Sequence, residues 1–176
     1  MSQLKVNSIV PVGGLPSGSN GGIIQVKQSF KNDTFSAAST SMTDITGMSV
    51  SITPSSNSNK ILIVTNLNYG GQGNGYFGFN LLRGSTSLGV GTSGTGNQLN
   101  FTFACGTGNG DNDFYKLHSV THEFLDSPAT TSETTYKIQV YSFDSRDFWL
   151  NRPYDNGNFN YIHRGSSSIT AYEVTT

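Results

Sequence analysis

What most constrains this chain is the shortness and alternation of its apolar runs. In "MSVSIT", Met48, Val50 and Ile52 alternate against Ser49, Ser51 and Thr53. "YFGFNLLR" places Phe77, Phe79 and Leu81 on one side of an extended chain. "KILIVTNLNY" puts Ile61, Ile63 and Leu67 on one face, with Leu62 and Val64 on the other. Lys60–Tyr69 therefore reads as a central strand, apolar on both sides. Similar runs are "GIIQVKQSF", "TSLGVG", "QLNFTFAC", "DFYKLHSVTHEFL", "TTYKIQVYSF", "FWL" and "SSITAYEV", separated by Gly, Asn, Ser and Asp clusters. No stretch keeps an i, i+3, i+4, i+7 pattern over three turns. About nine or ten short strands with turn chemistry between them predict an all-β protein, an antiparallel β-sandwich or barrel. No fixed-period repeat marks a solenoid or propeller.

Only 34% of the residues are hydrophobic and 12% charged, so the core has to be built largely from 8 Tyr and 11 Phe. The formal net charge is -1, with no basic run that would indicate nucleic acid or an anionic membrane surface as a partner. No apolar run approaches the roughly 20 residues of a spanning helix, so no membrane insertion is expected. The N-terminal residues show no secretory pattern. Cys105 is the only cysteine, which excludes an internal disulfide, and its strand-like setting predicts a buried, inert thiol.

Motifs with chemical meaning fail on context. Gly73-Asn74-Gly75-Tyr76-Phe77-Gly78 is a literal G-x-G-x-x-G after a strand. A strand pattern, rather than a helix, follows it, and no Asp or Glu occurs between Asp44 and Asp111, so no dinucleotide cofactor is expected. His118 and His122 share one face of a strand at roughly 13 Å, too far for one ion unless a threefold axis gathers copies. Asp111, Asn112 and Asp113 lack the spacing of a calcium loop. No G-x-S-x-G elbow is present and acidic residues are few, so neither an enzyme nor a metal site is expected.

Two regions differ from this background. Residues 1–22 combine a short apolar patch (Leu4, Val6, Ile9 and Val10) with a Pro/Gly/Ser-rich linker, which predicts an anchoring segment before a domain over 23–176. The loops around residues 69–76 and 146–161 concentrate Tyr, Trp, Arg and amides. Tyr69, Gln72, Asn74, Tyr76, Arg146, Asp147, Trp149 and Tyr154 are therefore candidate receptor-binding residues, suited to glycan.

"GGIIQVKQ", "DITGMSVSITPSSNSNKILI", "FNLLRGSTSLGVG", "FLDSPATTSETTYKIQVYS" and "RGSSSITAYEV", in that order, resemble the C-terminal domains of fibre and tip proteins of tailed bacteriophages, particularly marine cyanophages. The likeness runs from about Gly22 to Val174, and "LKVNSI...GG" looks like the attachment segment of such virion proteins. "YFGFNLLRGSTSLG" is similar to the C1q/TNF-like jelly roll, with Gly84-Ser85 at a turn that is usually Asn-Gly. The C1q family's calcium residues have no evident match. The resemblance implies a homotrimeric jelly-roll sandwich, made in the host cytoplasm and displayed on the virion surface. It would contact other virion proteins through its N-terminus and a host glycan through its loops. A head decoration or head-fibre protein with a structural role is the alternative.

Overall fold

The computed structural model describes residues 22–92, 94–108 and 113–175, so Leu4, Val6, Ile9, Val10, Asp111 and Asn112 lie outside the described residues. Eleven strands occur among the described residues: β1 (Ile23–Lys31), β2 (Phe35–Ala37), β3 (Thr43–Ile52), β4 (Lys60–Gly71), β5 (Tyr76–Arg83), β6 (Thr86–Leu88), β7 (Phe103–Gly106), β8 (His118–Asp126), β9 (Thr134–Ser142), β10 (Phe148–Leu150) and β11 (Ser167–Val174). No α-helix occurs among the described residues.

The strands form two antiparallel sheets. In the first, β4 pairs with β8 along one edge and with β11, then β10, along the other; β1 extends β11 and β2 extends β10. The second runs β3-β9-β5, with β6 and β7 sharing the far edge of β5. The chain crosses between sheets from β3 to β4 and from β4 to β5. With β11 returning between β1 and β4, this is the strand order of a jelly-roll sandwich.

The alternation read from the sequence carries through. Ile61, Ile63, Leu67 and Tyr69 of β4 face Phe77, Phe79 and Leu81 of β5 and Tyr136, Ile138 and Val140 of β9, all 5% exposed or less. Lys60–Tyr69 is the central strand the pattern indicated, with β8 on one edge and β11 and β10 on the other; Leu62 and Val64, on its other face, are half-buried. "TSLGVG" yields only the short β6, since Gly89 takes φ +60 and turns the chain away. At the β5–β6 hairpin Gly84 has φ +58 and Ser85 does not go positive, the pattern of a type II′ turn.

Three buried polar clusters tie the sandwich ends together. Glu173 on β11 is 1% exposed, and its Oε1 accepts hydrogen bonds from Ser55 N (2.6 Å), Ser55 Oγ (2.7 Å) and Asn59 Nδ2 (2.6 Å). The "TPSSNSN" turn thus folds around a carboxylate supplied by the last strand. Arg83 Nη1 donates to both Asp126 oxygens at 2.8 Å while Tyr136 Oη donates to Oδ2 at 2.7 Å, joining β5, β8 and β9. Asn151, at φ 64, donates from Nδ2 to Lys31 O (2.9 Å) and Asp33 O (2.8 Å) and accepts from Ser167 Oγ at 2.6 Å.

Burial alone would raise the Glu173 carboxyl, but the bonds from Asn59 and Ser55 prevail and hold it below its ordinary 4.5. A depressed folded-state value gives stability that is present above pH 4.5 and lost as pH falls through the folded value. Glu173→Ala is expected to lower unfolding free energy by about 2–3 kcal/mol at pH 7, by stranding donors made for a charge. Chemical denaturation from pH 7 to 3 checks both points. The isosteric Glu173→Gln should show a shallower acid loss than the parent.

Candidate binding surface

The two loops singled out in the sequence meet at one end of the sandwich. Gln72 N donates to Asp147 O at 2.8 Å and Arg146 Nη1 donates to Gly73 O at 2.8 Å. Thr107 Oγ1 donates to Gln72 O at 2.6 Å, and Asn74, at φ 57, donates its N–H to Gly108 O at 3.1 Å. These contacts use backbone groups, the Arg146 guanidinium and the Thr107 hydroxyl to hold the loops to each other and to Thr107 and Gly108.

The candidate side chains divide sharply. Tyr76 is 63% exposed, whereas Gln72, Asn74, Arg146, Asp147, Trp149 and Tyr154 are half-buried. Tyr69 does not reach the surface. It is 5% exposed, stacks on Phe148 at 6.3 Å and on His118 at 5.4 Å, and donates its hydroxyl to Gly106 O at 3.0 Å. It stands on the inward face of β4, in phase with Ile61, Ile63 and Leu67, so strand alternation buries it. Trp149 lies beneath Arg152, whose guanidinium carbon sits 3.4 Å from the ring centre. Tyr154 packs on Phe114 at 5.2 Å.

His118 and His122 share the inward face of β8, stacked on Tyr69 and on Phe103 (4.8 Å), and burial pushes His122 below its ordinary value. No group of three or more metal-ligating side chains occurs among the described residues. Burial pushes the Cys105 thiol up to about 12, so it stays protonated at neutral pH.

The sequence reading missed a cleft of about 650 Å³ on the outer face of the second sheet. Its floor is Gly78 of β5, the last glycine of the G-x-G-x-x-G. A side-chain carbon there would fall 2.3 Å from the Phe101 ring, so only glycine lets that ring lie flat against the strand. Phe101 packs on Tyr141 of β9 at 5.3 Å, and Tyr76 meets Phe143 edge-on at 6.1 Å. Leu99 and Asn97 complete the rim, and no charged side chain among the described residues lines the space. Phe143, 52% exposed, opens a 3-10 turn (Phe143–Ser145) in which Asp144 and Ser145 take φ 55 and 52. The signal was available in "TYKIQVYSF": if Tyr136, Ile138 and Val140 point inward, Tyr141 has to point outward.

No protein-family model matches the chain, and none of the curated proteins does. Among solved structures, one of infectious bursal disease virus, Gx strain, overlaps 94% of this chain at a TM-score of 0.41 and 12% identity. A mutant VP2 protein of the same virus, in derived T=1 particles, overlaps 93% at 0.42 and 13% identity. The chain spans 43% and 40% of the length of those two chains. The overlaps are loose, and the functional reading below stands on this chain's own residues.

Because Tyr76 and Phe143 are exposed, their removal should change the cleft and leave the fold intact. Tyr76→Ala and Phe143→Ala are each expected to shift unfolding free energy by less than about 1 kcal/mol. Phe148→Ala, emptying a fully buried site, should cost about 3–5 kcal/mol. Thermal and denaturant melts compare the three.

Proposed function

We propose that the chain is a structural protein of a virion, a homotrimeric jelly-roll module of fibre, tip or knob type that serves in attachment to the host surface. The observation that carries this reading is an apolar row, uncovered by any described residue, across the outer face of the first sheet. The strand registers align Val26 of β1 with Tyr172 of β11, Leu62 of β4 and Leu125 of β8. Val26 is 53% and Leu125 48% exposed, with Ile23 and Ile24 beside them at the start of β1. Four adjacent strands presenting one apolar row form a patch, and contiguous patches of this kind mark surfaces that other molecules cover. Fully burying each large side chain would contribute about 1.5–3 kcal/mol.

Three further points support the reading. The sequence resemblance to phage fibre and tip domains spans the whole sandwich and implies a trimer. The jelly-roll strand order agrees with the fold that resemblance implies. Gly22, just before β1, lies at the end of the sheet that carries the row, where Thr175 N donates to its carbonyl at 3.0 Å.

The second reading is a head decoration or head-fibre protein with a purely structural role. It is favoured by the loops, whose Tyr69, Arg146 and Trp149 contact the chain itself. Adsorption of virions carrying Tyr76→Ala, with imaging of where the protein sits on the particle, separates the two.

The assembly is tested directly. The chain should sediment at three times its 18.9 kDa mass. Leu62→Glu, at the centre of the row, should give a folded monomer with unchanged β-sheet circular dichroism, and Leu125→Lys should weaken association. A monomeric parent chain would sink the trimer.

A further inference from the structure

We infer that the cleft on the outer face of the second sheet binds a neutral pyranose unit of a surface polysaccharide; the reading as a virion surface module supplies the expected source of that glycan, and the chemistry below supplies its class. At about 650 Å³ the cleft lies within the roughly 300–1,000 Å³ of small-ligand sites. Its walls are the rings of Tyr76, Phe101, Tyr141 and Phe143. A pyranose has an apolar face of axial C–H groups and a rim of hydroxyls. The aromatic walls suit the face. The hydroxyls of Tyr76 and Tyr141 and the amide of Asn97 suit the rim, since amides and phenols both donate and accept. None of these polar ends bonds to another described residue.

Charge complementarity fixes the class further. No described lining residue is charged, so a uronate or sialate carboxylate would lose hydration with no described cation to replace it. A neutral sugar carries no such penalty. A plain acyl chain would fill the space but leave the three polar ends unused. The cleft is also held open by local structure. Phe143 is presented by two consecutive non-glycine residues at positive φ, and strained backbone of this kind collects at ligand clamps. Tyr76 and Phe143, 63% and 52% exposed, form a contacting pair, whereas isolated exposed aromatics are ordinary.

The test uses the full chain and saturation-transfer NMR. The probes are the methyl pyranosides of glucose, galactose and mannose, dextran as a neutral polymer, and glucuronate as the charged control. Transfer to the ring protons of at least one neutral probe is expected, with glucuronate at least tenfold weaker. Tyr76→Ala and Phe143→Ala should each weaken the effect tenfold or more, and Tyr141→Phe a few-fold. No transfer to any neutral probe, equal transfer to glucuronate, or transfer unchanged in the alanine variants overturns the proposal. So does protection of both rings by another copy of the chain in the assembled protein. Sedimentation of the same samples keeps the two readings separate. Sugar binding by a monomer defeats the trimer alone, and a trimer without sugar binding defeats the cleft alone.

Discussion

Phe148 is the ring on which the two sheets close. It belongs to a strand of three residues, yet its ring lies 6.3 Å from Tyr69 in its own sheet and 5.2 and 5.6 Å from Phe77 and Phe79 in the other. Phe79 passes the contact on to Phe103 at 4.9 Å, and Phe103 to His122. A chain that is only 34% hydrophobic can fill a sandwich this way because each aromatic ring buries a large area. The arrangement asks for accurate placement of a very short strand. Asn151, next in sequence, provides it by bonding at once to the end of β1 and the start of β11.

The polar clusters at the ends follow from the same economy of apolar surface. Where rings run out, buried carboxylates take over: Glu173 gathers the β3–β4 turn, and Asp126 gathers Arg83 and Tyr136. Each is satisfied by named donors, the condition under which burying a charge is tolerable. These contacts make "TPSSNSN" and Glu173 depend on each other in this chain. They are two halves of one hydrogen-bonded unit, more than a hundred positions apart in the chain.

Strand identity and inward faces were legible because period-2 alternation survives wherever one face meets a core. Phe77, Phe79 and Leu81 went where the pattern put them. Lys60–Tyr69 was legible as a central strand, but what lies over Leu62 and Val64 was not, because an apolar second face looks the same in sequence whatever covers it. The loops were harder. Tyr69 was read as a surface residue from its Gly-rich neighbours, although it keeps the inward phase of β4. The cleft was invisible because its walls come from four places that only the pairing of β5, β7 and β9 brings together. Gly78 shows the same effect: a motif glycine that suggests a phosphate cradle is required here by an aromatic ring.

The two surfaces left exposed by the described residues stand back to back. The apolar row lies on the outer face of the first sheet and the aromatic cleft on the outer face of the second, with the aromatic core between them. Packed sheets are about 10 Å apart, so a molecule covering one face leaves the other open to solvent. If copies associate through the row, the cleft points outward from every subunit, and each assembly displays several identical clefts. Single sugar rings bind weakly because so little surface is buried, and linked sites multiply weak contacts into useful avidity. Assembly and recognition then depend on each other. A lone sandwich with this cleft would release a sugar quickly, and the same sandwich presented in several copies would hold a repeating glycan.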